Sequence, residues 1–166
     1  VLAVFMGMIL TLPISSAALS IALGLEGLAA GAALTGCCCQ MIGFAVMSYK
    51  ENKVGGLISQ GLGTSMLQIP NIIKNPLIWI PPTLASALLG PISTTVFKMK
   101  ADSVGAGMGT SGLVGQFSTY SVMGNEAFIG IALLHFLLPA VLSYAISMYM
   151  RKKGYIKEND LLLQNK

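Results

Sequence analysis

Two short stretches carry the polar groups best suited to meet a ligand. Gly61-Leu62-Gly63-Thr64-Ser65-Met66-Leu67 and Gly107-Met108-Gly109-Thr110-Ser111-Gly112-Leu113 share the pattern G-x-G-T-S-x-L at an offset of 46 residues, and a glutamine follows each, Gln68 and Gln116. Glycine lets a backbone unwind and approach a bound molecule closely. Amides freed at the start of a half-helix are donors. Threonine and serine hydroxyls and glutamine amides both donate and accept. That set suits an uncharged, polyhydroxylated solute such as a sugar. Thr64, Ser65, Gln68, Gly109, Thr110, Ser111 and Gln116 are therefore candidate binding residues. One such segment alone would read as close helix packing through small residues. A pair of them, with helix breakers between, points instead to a transporter-like binding site.

Other polar residues stand alone. His135 lies inside an apolar run, where an ionisable residue is a functional candidate. A neutral histidine bonded to a neighbouring helix is the competing reading. Glu126 opens the same run, either as a turn residue or as an acceptor for solute hydroxyls. Glu26, Asn71 and Asn75 read as turn and capping residues. Cys37, Cys38 and Cys39 are consecutive, so on a helix they point about 100° apart and cannot ligate one metal. They read as small packing residues. No catalytic triad, phosphate loop or zinc motif is present. No metal and no cofactor are expected, and no residue of the chain is expected to be catalytic.

The elements that must position these groups follow from composition. Of 166 residues, 54% are hydrophobic and 10% charged, against about 25% charged in an ordinary soluble domain. Too little polar surface is available for a soluble domain of this size. The charges divide the chain into six charge-free runs, 1–25, 27–49, 54–73, 75–97, 103–125 and 127–150. Each is close to the roughly 20 residues a helix needs to cross a bilayer. The expected fold is therefore an all-α integral membrane protein with about six hydrophobic segments. The three middle runs hold many glycines and prolines and are expected to be broken or re-entrant around a polar cavity. If every run crossed once, nine of the ten basic residues would share one side with the C-terminus, leaving Lys74 with Glu26 and Glu126 on the other; if 75–97 turned back instead, Lys74 would join the basic side, and the sequence does not choose between the two. The positive-inside rule makes the basic side cytoplasmic. The net charge of +4 then reflects loops facing anionic lipid and calls for no nucleic acid.

The stretch GLGTSMLQIPNIIKNPLIWIPPTLASALLGPISTTVFKM, followed by GAGMGTSGLVGQ, resembles the enzyme IIC membrane components of the bacterial phosphoenolpyruvate-dependent sugar phosphotransferase system. Within that family it is most similar to the branch containing the membrane regulator of perfringolysin. The resemblance implies a multi-pass protein of the bacterial cytoplasmic membrane, usually a homodimer. It also implies a sugar substrate and separate IIB and IIA partners that phosphorylate it, with no phosphorylated residue in the IIC part. Residues 1–150 are expected to be the membrane-embedded domain and 151–166 a cytoplasmic tail. Branch members are about twice this length, and the chain starts directly in apolar sequence at Val1, so a C-terminal half is expected.

Two functions compete. A sugar permease would alternate access around a cavity lined by the two G-x-G-T-S loops, with Glu126 or His135 orienting the solute. A membrane-embedded sensor would use the same pocket and signal through the basic tail to regulate gene expression, without transport. An ion channel fits less well, because no carboxylate pair lies within a run and the candidate loops are neutral.

Overall fold

The computed structural model describes residues 1–163, which are helical with no strand among them. The α-helical segments are α1 (Leu2–Thr11), α2 (Ser16–Ala22), α3 (Gly27–Met47), α4 (Tyr49–Ile58), α5 (Ile69–Lys74), α6 (Ile80–Thr95), α7 (Ser103–Ala106), α8 (Val114–Met123), α9 (Ala127–Gly130) and α10 (Leu138–Lys152). Short 3-10 and π turns join several of them. Three helices are long and apolar enough to cross a membrane. They are α3, the helix Pro76–Thr95 that contains α6, and the long helical stretch ending in α10 at Lys152.

Helix α3 is the central post. Sixteen of its 21 residues are buried, and α1, α6 and α10 pack around it. Small residues on every face make this possible. A Cβ on Gly36 would overlap the carbonyl of Ala3, and one on Gly31 would overlap the carbonyl of Met99. Cys37, Cys38 and Cys39 are fully buried free thiols. They face three different neighbours, as their angular spacing requires. Cys37 approaches the carbonyls of Met6 and Ala106, Cys38 approaches Gln116, and Cys39 joins Ala85, Leu89, Met99 and Leu134.

The six runs do not behave alike. Run 1–25 is not one span. Pro13 forces the preceding Leu12 into an extended conformation, which separates α1 from α2. Run 75–97, expected to be broken, is one helix of 20 residues from Pro76 to Thr95. Three of its prolines are tolerated because Pro76 opens the 3-10 turn and Pro81 and Pro82 sit in the first turn of α6, where a missing N–H costs least, while Pro91 lies inside the helix. Thr94 and Thr95 donate to the Pro91 carbonyl near its end. Run 127–150 is helical throughout and widens to a π-helix over Ile131–Leu137, immediately before Pro139. Proline lacks the N–H of a regular turn, and the wider turn lets Leu138 bond back to Leu133 instead.

Runs 54–73 and 103–125 are broken, as expected, and each returns to the end of α3 from which it started. The first run begins beside Lys53 and ends at Lys74, with Asn71 and Asn75 bonded to the carbonyls of Leu162 and Tyr155. The second begins at Asp102 and ends at Met123, which lies against the Lys100 amide. Gly27 and Ala101 pair through their backbones at that same end. The expected sidedness is therefore corrected for Lys98 and Lys100, and decided for Lys74. Lys74 lies at the end that carries residues 151–163, while Lys98 and Lys100 lie at the opposite end with Glu26 and Glu126. The reason is that run 54–73 turns back rather than crossing. Lys166 lies outside the described residues.

Gly36→Ala should destabilise the protein by about 1–3 kcal/mol, the usual cost of overpacking a dense core. Gly55→Ala, whose Cβ would meet nothing within 4 Å, should not. Thermal midpoints in detergent check this, and equal midpoints would refute the close contact.

Candidate functional site

The two returning segments meet tip to tip beside the middle of α3, and the meeting point is the repeated motif. The first tip is the π turn Ser59–Gly63, extended Thr64 and the 3-10 turn Ser65–Gln68. The second is the turn through Gly107 and Gly109, followed by the 3-10 turn Ser111–Leu113. Thr110 donates its hydroxyl to the carbonyl of Gly61, joining one motif to the other. Gly109 has φ +57°, and a Cβ there would press on Met41 and Cys37. Glycine is therefore required at this position on two counts.

Hydroxyls at the tips divide into engaged and available groups. Ser65 is buried and shares a 2.9 Å hydrogen bond with Thr11 of α1. Thr110 is buried, with its bond to Gly61. Thr64 accepts from the Met66 amide at 3.1 Å and keeps its own proton to donate. Ser111 is half-buried, and its hydroxyl makes no hydrogen bond among the described residues.

The remaining candidates separate. Gln116 and His135 are together, with the glutamine amide 3.2 Å from Nδ1 of the histidine and 3.5 Å from the Cys38 sulfur. Oε1 of Gln116 and Nε2 of His135 are buried without partners. In an apolar medium such orphan groups are costly. Gln116 also lines a hollow of about 260 Å³ with Leu113, Phe117, Tyr120, Phe128 and Ile131. A second apolar hollow, of about 230 Å³, lies beside Gly61 and Leu62.

Gln68 is not at the tip contact. It joins a buried amide chain in which it donates to Gln60 at 2.8 Å and to the Leu161 carbonyl, and accepts from Asn71. Glu126 is exposed and lines a different hollow with Lys98 and Lys100. At the other end the hydrogen bond and charge of Lys50, 3.0 Å away, lower the carboxyl pKa of Glu158.

Sequence reasoning passed over Thr11, Gln40 and Gln60. Gln60 anchors the first tip through Ser48 and Gly56. Gln40 bridges α3 to α6 by accepting from the Trp79 indole and donating to Thr83. A glutamine inside a charge-free run was the available signal, since a polar side chain there needs a partner.

The family described as "Phosphotransferase system, EIIC" matches residues 1–163. The chain belongs to that family. No curated protein and no solved structure matches it. Membership makes this a membrane component of a phosphotransferase system, a sugar-permease subunit whose partners are IIB and IIA proteins. The match reaches the residues that follow α10, and these are packed rather than free. Ile156 and Leu161 are buried, Asn52 donates to the Leu161 carbonyl at 2.7 Å, and Asn75 donates to Asp160.

The Gln116–His135 contact should contribute about 0.5–2 kcal/mol, the range for hydrogen bonds between membrane helices. A double-mutant cycle of Gln116→Leu and His135→Leu measures that coupling through thermal stability. Additive effects of the two changes would mean that the contact carries no energy.

Proposed function

We propose that this IIC chain binds its sugar where the two G-x-G-T-S tips meet, and that the sugar crosses there on its way to phosphorylation by IIB. The observation that carries this reading is the Thr110–Gly61 contact. It joins two copies of one motif that enter from opposite ends of α3. Non-helical backbone inside a membrane is tolerated where protein buries it or water wets it. Paired broken segments of this kind mark binding sites in transporters.

In this reading the described arrangement is the closed one, and parting of the tips opens the cavity. Ser111 and Thr64 supply hydroxyls to the sugar, Thr110 and Ser65 exchange their protein partners for it, and Gln116 with His135 stands beside it. Gln68 and Glu126 serve elsewhere, the first in anchoring the hairpin and the second at the surface. The end with the excess of basic residues faces the cytoplasm by the positive-inside rule. The membrane-embedded part then ends near residue 150, with the following segment on the cytoplasmic surface. Lipid and a second copy surround the bundle.

Titration calorimetry with unphosphorylated sugars on the purified protein in detergent tests the site. Ser111→Ala and Thr64→Ala should each weaken binding of the recognised sugar about 3- to 10-fold, as expected for one lost hydrogen bond. Glu126→Gln should leave it unchanged. Unaltered affinity in both tip variants would refute the assignment.

A further inference from the structure

A groove of about 570 Å³ opens at the end of the molecule that carries residues 151–163. Lys50, Lys53, Arg151 and Lys152 all line it. Few carboxylates offset them. Glu51 is claimed by Arg151 at 2.7 Å and is almost wholly buried. Glu158 pairs with Lys50 at 3.0 Å, but both side chains are at least 70% exposed, where such a pair adds little. Lys53 and Lys152 form no ion pair among the described residues. Lys53 also holds a backbone conformation rare for a side-chain-bearing residue, with φ 53° and ψ −149°. The break it makes in α4 sets its position on the groove's rim.

The groove's other wall is apolar. Tyr144 and Met148 of α10 line it, and both are exposed. They continue a stripe with Leu137 and Val141, each more than half exposed, at the spacing of one helix face. Cations thus gather where an exposed apolar track begins. A phosphate group fits the cations, and a hydrocarbon chain fits the track.

We propose that this groove binds the phosphate of an anionic phospholipid, with an acyl chain along Leu137, Val141 and Tyr144. Basic pockets between membrane helices recognise headgroups through the same chemistry. The site stands apart from the sugar reading, and its test uses no sugar.

The full chain in detergent is titrated with short-chain phosphatidylglycerol, with phosphatidylcholine of the same chains, and with inorganic phosphate, while the thermal midpoint is followed. A ligand that binds only the folded state raises that midpoint. Phosphatidylglycerol should raise it and phosphatidylcholine should not. The triple variant Lys50→Gln, Lys53→Gln, Lys152→Gln should weaken the apparent affinity at least 10-fold. The matched triple variant Lys74→Gln, Lys153→Gln, Lys157→Gln removes equal charge from the same end but outside the groove, and should keep it. Equal weakening in both variants would overturn the site in favour of diffuse surface charge. A midpoint rise with inorganic phosphate matching that of the lipid would overturn the lipid as the source. No response to either would overturn the site altogether.

Discussion

Over Gly27–Cys39 helix α3 is mostly glycine, alanine and cysteine, and its neighbours come in to backbone distance there. Ala3 rests on Gly36 and Met99 on Gly31, with carbonyl groups where side chains would otherwise stand. Between membrane helices no hydrophobic force acts, because lipid is as apolar as leucine. Dispersion contacts must do that work, and they weaken steeply with even a small gap. Close approach along α3 is thus the condition under which α1, α6 and α10 hold together. It also brings both tips against the same helix, the second at Cys37 and Met41 and the first, through Gly61, at Ile42 and Ala45.

Polar groups inside this bundle are placed under the same constraint. Each break in the helices frees backbone groups that water cannot reach, and each is answered locally. Thr110 satisfies a carbonyl of the opposite tip, and Asp102 and Ser118 close the base of the second hairpin. Gln60, Gln68, Asn71 and Asn52 close the base of the first. The exceptions among the described residues are few and specific. Oε1 of Gln116 and Nε2 of His135 lie unpartnered beside the second tip, where Ser111 keeps a free hydroxyl, and Ser143 Oγ and Glu51 Oε2 are unpartnered elsewhere.

Much of this was legible in the chain. The repeat predicted two equivalent broken elements, and they meet. Glycine counts predicted the breaks in 54–73 and 103–125. Crossing and returning segments were not distinguishable, because a hairpin that dips halfway and comes back uses as many apolar residues as one span. Lys98 and Lys100 were consequently assigned to the wrong end, and Lys74 was left open between the two. Proline counts misled for 75–97, since three of its prolines fall in first turns, where the cost is least, and only Pro91 is interior. Gln68 and Gln116 read alike from their motifs. The partner that removes Gln68 from the tip contact is Leu161, 93 residues later, and no local pattern reports a contact at that separation. Glu126 lies with Glu26 at the end its run was expected to start from, exposed beside Lys98 and Lys100.

The amide chain at the base of the first hairpin also has a temporal side. Asn52, Gln68, Asn71 and Asn75 are synthesised long before their acceptors at residues 155–162 exist. Until the ribosome has released that later segment, these amides must be held by water, lipid headgroups or the insertion machinery. The tip of the first hairpin can meet α3 early, but its base is completed late. The hairpin is therefore anchored only after residues 155–162 have emerged, and a chain stalled before residue 155 would present that hairpin still unfastened.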